Sequence, residues 1–299
     1  MENWYKANLH CHTTMSDGKH TPEEIKQMYM DEGYSIIAFT DHNVFESHSY
    51  LNDENFLAIN ACEININSPM KTKADWQRCG VYHFNLYATR PDITASPPLP
   101  TMDYSDYEAI NRYIAERNAE GFLVSYNHPY WSMQTYEEYS KLRGCFAMEI
   151  YNHNCEMEGF YGHHLQAYDE MLRSGHQLFC LAVDDNHNGG FPDSFGGFIY
   201  VNSPSLNYED VMKALTNGEF YSSQGPLIHE FSIKDDILTI ECSPVALIVV
   251  HTQGRRCYIK KGENLTEAQF RLEGQDGYVR VTCRDKDKKE AYSNAIWLN

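Results

Sequence analysis

Seven short apolar runs in this sequence each contain or closely precede a residue whose side chain can bind a metal ion. In chain order they are Tyr5–Leu9 with His10 and His12, Ser35–Thr40 with His42, Phe56–Ala61 with Glu63, Gly80–Ala88 with His83, Phe122–Tyr126 with His128, Cys145–Met148 with Glu149, and Leu178–Val183 with Asp185 and His187. One His or Asp after a strand carries little information. The same arrangement in seven places predicts that seven strand ends converge on one polar centre.

The residue types at this centre favour divalent transition-metal ions. His10 and His12 stand two residues apart, so both side chains point to the same side of an extended strand, as chelation requires. Histidine and carboxylate without a nearby pair of cysteines suit Zn²⁺, Mn²⁺ or Fe²⁺ and disfavour a closed structural zinc site. Cys11 should point to the opposite face of the strand, and we expect it in the core.

Helix signals between the runs predict strand–helix–strand units around a parallel sheet. Thr21 and Glu24 form a capping-box pattern around Pro22, and helical periodicity recurs in Tyr107–Glu120 and in His163–Ser174. Parallel strands open their C-terminal ends on one face, so the candidate ligands would share one pocket.

Three segments depart from this pattern. Asn65–Cys79 reads as an irregular insertion, and Arg90–Thr101 reads as a loop because it holds four prolines. After about Tyr221 short alternating or apolar runs follow one another without helical periodicity, which predicts a small all-β, sandwich-like module. We therefore expect two domains, residues 1–221 and 222–299. The runs of the module are Phe231–Ile233, Ile237–Cys242, Ala246–His251, Cys257–Ile259, Gln269–Leu272, Tyr278–Cys283 and Ala295–Leu298.

Composition excludes several classes of protein. The 299 residues are 42% hydrophobic, which is typical of a globular chain, and no apolar stretch approaches the roughly 20 residues of a membrane helix. The first predicted strand starts at about Tyr5, which leaves no room for a signal peptide. Nine scattered cysteines without a CxxC pair favour reduced thiols and a cytoplasmic location. A net charge of −18 argues against a nucleic-acid polymer as partner. The sequence carries no signal for an oligomeric state.

The seven segments together resemble the PHP (polymerase and histidinol phosphatase) superfamily of metallohydrolases. They occur in the family's order across residues 5–200 as NLHCHTTMSDG, IIAFTDHN, ACEI, VYHFNLYA, SYNHPY, MEIYN and AVDDNH. The resemblance implies a distorted (β/α)7 TIM-like barrel. The later segments YSSQGPLIHEFSI and SNAIWL look like the β-module appended in stand-alone bacterial members, including the CehA/McbA-like group.

The resemblance also implies a role for each candidate ligand. The first metal would be held by His10, His12, Glu63 and Asp185, and the second by Glu63, His83 and His128, with Glu63 bridging. A third would use Asp17, His42 and His187, although some members have His where Asp17 stands, so two or three ions are implied. Asp41 would orient His42 or a neighbouring ligand. Glu149 fits either a contact to a ligand or substrate, or a structural ion pair.

The expected activity is hydrolysis of a phosphate ester carried by a small molecule, either a phosphomonoester or a phosphodiester. A hydroxide bridging two metals would attack phosphorus, Asp185 or His187 would handle protons, and His42 would hold a phosphate oxygen directly or through a third ion. One alternative is an amide, carbamate or ester hydrolase with the same metal centre. Another is a metal-stabilised binding protein whose β-module carries the function.

Overall fold

The computed structural model of the chain describes residues 3–70, 72–274 and 276–298. The chain divides into two compact units, Met1–Glu219 and Phe220–Asn299. The first unit combines helices and strands, and the second is built from strands in its described residues. Together they form an α/β domain of strand-rich character and a C-terminal β-module.

The first unit contains eight strands and six helices among its described residues. The strands are β1 Asn3–Asn8, β2 Ile36–Phe39, β3 Leu57–Asn67, β4 Val81–Ala88, β5 Phe122–Tyr126, β6 Ala147–Asn152, β7 Phe179–Val183 and β8 Phe198–Ser203. The helices are α1 Pro22–Asp31, α2 Tyr107–Ala119, α3 Tyr136–Tyr139, α4 His153–Met157, α5 Leu165–Arg173 and α6 Tyr208–Asn217. In the described part of the chain, no helix is both long enough and apolar enough to cross a membrane.

Capping explains where the first helix begins. The Thr21 side chain accepts from the backbone N–H of Glu24, and the Glu24 side chain accepts from the backbone N–H of Thr21. This reciprocal capping box satisfies donors that the first helical turn leaves unpaired, as the sequence predicted. Ile25 and Tyr29 then face the core, together with Cys11.

The sheet of the first unit is mixed, which corrects the prediction of a parallel sheet. Its strand order is β8-β1-β2-β3-β4-β5-β6-β7, and β4 runs antiparallel to both β3 and β5. A parallel pair needs a crossover, usually a helix, whereas the described residues between β3 and β4, 68–70 and 72–80, carry only a 3-10 segment, Lys73–Arg78. The start of β4 therefore lies beside the far end of β3. Asn65–Asn67, predicted as part of an irregular insertion, belong to β3.

An eighth strand, β8, was missed because no metal-binding residue follows it. It pairs antiparallel with β1. Backbone hydrogen bonds also join the segments that follow β1 and β7: Asp185 N–H donates to His10 O over 2.9 Å, and His12 N–H donates to Asn186 O over 3.1 Å. The first and seventh strand ends are therefore adjacent.

The second unit is an antiparallel arrangement. Its strands are β9 Phe220–Ser223, β10 Ile228–Lys234, β11 Ile237–Thr252, β12 Cys257–Arg271, β13 Tyr278–Arg284, β14 Glu290–Ser293 and β15 Ile296–Trp297. Ile237–Cys242 and Ala246–His251, read from sequence as two strands, are one. The register of β11 against β12 shifts between Glu241 and Val245, around Pro244, because a strand accommodates proline at a bulge.

Candidate metal centre

The structure brings together all nine residues that the sequence singled out as ligands. Four groups have donor atoms lying within 4.8 Å of one another. The groups are His10, His12 and Glu63; His10, His128 and Asp185; Glu63, His83 and His128; and His12, Asp17, His42 and His187. The last group contains the three residues expected at a third metal, with His12 in addition.

Strand direction explains how His83 reaches this centre from the interior of an apolar run. His10, His42, His128 and Asp185 follow the C-terminal ends of parallel strands. Because β4 runs the other way, its start is the end that lies at the centre, and His83 is the third residue of β4. Its register partner on β3 is Asn65, two residues beyond Glu63.

Glu63 occupies the middle of the cluster and is 1% exposed. Its two oxygens face five imidazoles, at 3.3 Å from His10 Nε2, 3.0 Å from His83 Nδ1, 3.4 Å from His128 Nε2, 3.5 Å from His12 Nε2 and 3.0 Å from His42 Nδ1. Burial alone would raise its pKa, but the charges of the surrounding imidazoles outweigh burial and hold the pKa of Glu63 well below its ordinary value. Glu63 is therefore a carboxylate with access to most of the candidate ligands.

Asp185 supplies the second central carboxylate. Its Oδ1 lies 3.0 Å from His10 Nε2 and 3.0 Å from His12 Nε2, and its Oδ2 accepts from Asn152 Nδ2 at 3.0 Å. The backbone of Asp185 is left-handed, with φ of 56°, a conformation that Asp and Asn adopt more readily than most residues. Asp185 therefore bonds the His10 carbonyl through its N–H while its carboxylate faces the two imidazoles.

The donor atoms fit divalent cations. His12 Nδ1, His83 Nδ1 and Glu63 Oε2 are buried and make no directed hydrogen bond, although His83 Nδ1 and Glu63 Oε2 each have a charged neighbour 3.0 Å away. Buried polar atoms without a hydrogen bond are costly. Burial, followed by the neighbouring His187 and His42, lowers the pKa of His12 to about 4, so this ring is neutral at pH 7 and offers a lone pair. A set of imidazole nitrogens and carboxylate oxygens suits Zn²⁺, Mn²⁺ or Fe²⁺.

Hydrogen bonds on the outer side of the imidazoles aim their other nitrogen at the centre. His10 Nδ1 lies 2.6 Å from Glu149 Oε1, and His128 Nδ1 lies 3.1 Å from Ser132 Oγ. His187 Nδ1 lies 2.8 Å from the backbone oxygen of Asp185. The carboxylate and the carbonyl can only accept, so His10 and His187 carry a proton on Nδ1 and direct Nε2 at the cluster, as a ligand bonded through Nε2 requires.

Glu149 acts through the candidate ligands. It is fully buried, and besides His10 it accepts the His128 backbone N–H and Asn152 Nδ2, each at 3.0 Å. Of the alternatives left open by the sequence, these contacts favour the one in which Glu149 positions ligands. A carboxylate behind a ligating imidazole fixes the ring orientation and raises its basicity.

The Asp41 carboxylate binds the loop that precedes Asp17, and none of its described hydrogen bonds goes to His42. Its carboxylate accepts the Thr13 N–H and the Thr13 hydroxyl, both at 2.8 Å, and the Ser16 hydroxyl at 2.6 Å. This fixes the turn immediately before Asp17. These bonds lie beside Asp17 and not at His42, and the orienting role of Asp41 stays a prediction.

Sequence reasoning assigned no role to two supporting groups, Asn152 and Asp184. Asn152 links the Glu149 and Asp185 carboxylates while its Oδ1 caps α4 at Cys155 N. Asp184 accepts the Tyr29 hydroxyl and the N–H groups of residues 195–197, all at 2.8 Å. Both residues stand at the end of an apolar strand and have no place in the metal-ligand pattern. A polar residue in such a position was the signal that could have indicated a supporting role.

Asp17 is the most exposed candidate, with 53% of its side chain accessible. It lies 3.6 Å from His12 Nδ1, 3.6 Å from His187 Nε2 and 3.7 Å from His42 Nε2.

We expect Asp17→Asn to lower kcat/KM by only about 10-fold if two ions suffice, the low end of what contacts around a metal contribute. A loss approaching that of a Glu63 variant, with one ion fewer per chain, would instead show that a third ion takes part. Asp92→Asn, at an exposed position, is the matched control.

Known proteins are similar to this chain in two ways, by family and by fold. Residues 8–190 match the model of the PHP domain family. A two-domain protein of Bacteroides vulgatus, containing a predicted PHP-like metal-dependent phosphoesterase, superposes with a TM-score of 0.51 and 16% identity over 99% of this chain and 96% of that one. At this identity the likeness shows the fold alone. A putative metal-dependent phosphoesterase of Bifidobacterium adolescentis gives a TM-score of 0.46 at 14% identity, over 70% of this chain and 94% of that one.

One relative of known activity is similar over a short stretch. A 5'-3' exoribonuclease of Haemophilus influenzae is 28% identical over 92 residues, which are 30% of this chain and 32% of that enzyme. The match therefore spans about a third of the length of the enzyme.

Proposed function

This chain belongs to the PHP domain family, and from that premise we propose that it is a metal-dependent phosphoesterase acting on a small molecule, by hydrolysis of a phosphomonoester or a phosphodiester. One observation carries the proposal: the buried Glu63 carboxylate is surrounded by five imidazoles, with Asp185 beside two of them. The complete set of nine donors argues against a metal-stabilised binding protein, since one structural ion needs only about four ligands.

We assign the ligands as the family resemblance implies. His10, His12, Glu63 and Asp185 would hold one ion, Glu63, His83 and His128 a second, and Asp17, His42 and His187 a third where it binds. Bound divalent ions would supply an activated water molecule and positive charge against the phosphate oxygens. Glu63 is the group placed to serve two ions, because its Oε1 and Oε2 face different imidazoles.

The protein side chains have separate tasks in this scheme. Asp41 would hold the loop before Asp17 and Glu149 the ring of His10, which their hydrogen bonds support. His187 donates from Nδ1 to the backbone of Asp185, so its Nε2 can accept a proton when it is not bound to metal. His42, 28% exposed at its side chain, lies at the open side of the cluster, where it would contact a phosphate oxygen.

Cations bound in the pocket would favour a phosphate over an amide. The cavity at the cluster has no Lys or Arg among its described lining residues, so anion recognition would rest on the bound cations. Coulomb attraction grows with the charge of the substrate, and a dianionic phosphomonoester gains more from it than a neutral amide or carbamate.

A substrate panel tests the proposal. We expect Mn²⁺-loaded protein to hydrolyse a phosphomonoester or a phosphodiester, to lose this activity with a chelator and to recover it when Mn²⁺ is restored. Efficient cleavage of a carbamate, ester or amide together with inert phosphate esters would replace the proposal by the alternative hydrolase on the same centre.

Three finer features belong to the same proposal. The hydrogen bonds between the segments after β1 and β7 support a distorted (β/α)7 barrel in which β4 is reversed. The ligand chemistry supports Zn²⁺, Mn²⁺ or Fe²⁺, two or three per chain. The cytoplasmic location stays a prediction from the cysteine pattern.

A further inference from the structure

A cavity of about 1180 Å³ opens onto the candidate metal centre. It is larger than a phosphate group needs and lies above the usual range of small-molecule pockets, about 300–1,000 Å³. Beyond the candidate ligands, its lining combines amide side chains with one group of bulky, mostly aromatic side chains. These are Met70, Trp76, Tyr130, Trp131, Met133 and Phe160, which we call the aromatic wall.

The aromatic wall begins at the metal ligands themselves. The Trp131 ring centroid lies 5.1 Å from that of His128 and 5.5 Å from that of His83. Trp76 continues the surface, edge-on to Trp131 at 5.9 Å. A group attached to a phosphate at the second ion would therefore meet Trp131 first and Trp76 next.

Much of the aromatic wall is accessible. Trp76 is 52% exposed, Tyr130 50% and Phe160 45%. Large apolar side chains gathered on one exposed surface mark a binding site more often than a plain protein surface. Their position at the mouth of the cavity points to a ligand that covers them.

The charge of the wall limits what that ligand can be. No Lys or Arg occurs among the lining residues that the structure describes, whereas Glu158 and Asp17 are acidic. Among these described residues, a second phosphate or carboxylate held away from the metals would find no cationic partner and would face the like charge of Glu158 and Asp17. An uncharged aromatic surface would stack on Trp131 and Trp76 without such a penalty.

We propose that the substrate is the phosphate ester of an uncharged aromatic alcohol, whose rings pack on Trp131 and Trp76. This inference rests on the proposed function. The wall thereby selects the leaving group, while the metal centre recognises the phosphate.

Hydrolysis by Mn²⁺-loaded protein tests this selection. We expect kcat/KM for 1-naphthyl phosphate to exceed that for phenyl phosphate by about 10-fold, from burial of the extra ring carbons, and to exceed that for fructose 1,6-bisphosphate as well. Trp76→Ala should bring the naphthyl-to-phenyl ratio close to 1 with little change for phenyl phosphate. Trp4→Ala, which removes a 38% exposed Trp outside the cavity, should leave the ratio unchanged. A ratio near 1 in the unmodified protein, or a preference for the bisphosphate, would overturn the inference and leave the phosphoesterase proposal standing.

A binding measurement separates this inference from the proposed function. If no phosphate ester is cleaved, the proposed function fails, and calorimetric titration with 1-naphthol and phenol then decides the inference alone. Binding of 1-naphthol about 10-fold tighter than phenol, weakened by Trp76→Ala and unaffected by Trp4→Ala, would support the aromatic wall as a ring-binding site. Equal affinities, or equal effects of the two variants, would reject it.

Discussion

Replacing Glu63 by Gln is expected to lower both the metal content of the chain and kcat/KM, the latter by more than about 100-fold. Contacts one step removed from a metal contribute about 10–100-fold, and Glu63 lies at the centre, within 3.5 Å of five imidazoles. The amide keeps the shape of the side chain but loses the negative charge and turns one acceptor into a donor. Metal content by plasma mass spectrometry and steady-state kinetics on a phosphomonoester measure the two effects.

Glu54→Gln is the matched control, because Glu54 lies at an exposed position before β3. It should retain full metal content and rate. Retention of both by Glu63→Gln would show that Glu63 does not bridge metal ions.

Replacing Asp185 by Asn is expected to have an effect of similar size. Its Oδ1 lies 3.0 Å from both His10 Nε2 and His12 Nε2, so the neutral amide would lose charge beside the two chelating imidazoles. Because Asn also tolerates the left-handed backbone of residue 185, the change isolates the carboxylate from the fold. We expect reduced metal content and a loss of kcat/KM of more than about 100-fold.

Circular dichroism and thermal unfolding check that Asp185→Asn folds, and Asp92→Asn provides the matched exposed change. A folded Asp185→Asn protein with full metal content and normal turnover would remove Asp185 from the ligand set and from catalysis.

The spacing of the candidate ligands could be predicted from the sequence because it depends on local geometry. His10 and His12 share one side of a strand by periodicity alone, and Thr21 and Glu24 cap α1 through backbone groups three residues apart. Glu63, His128 and Asp185 follow or lie in buried strands that apolar runs identify. Such features need no knowledge of which strands are neighbours.

The direction of β4 and the presence of β8 could not be predicted in the same way. An apolar run shows that a strand is buried but does not show which way the strand runs. The sequence therefore named His83 as a ligand but could not explain how a residue inside its strand reaches the centre. β8 carries no ligand and pairs with β1 through residues far apart in sequence.

The sequence pointed to Asp41 and Glu149 as supporting residues, but it did not show which groups they bind. Asn152 bridges Glu149 and Asp185, and Asp41 holds Thr13 and Ser16. These bonds depend on the spatial order of strands that are separate in the sequence, and polar residues of this kind resemble surface positions until the fold is known.

The most direct test of the metal-centre account is to measure metal content and phosphoesterase rate on the same samples during stepwise chelation. We expect at least two divalent ions per chain in the loaded protein, with the rate on a phosphomonoester or phosphodiester falling as the ions leave and returning when Mn²⁺ is added. A chain that binds no divalent ion, or one that hydrolyses phosphate esters at an unchanged rate after its ions are removed, would contradict the account.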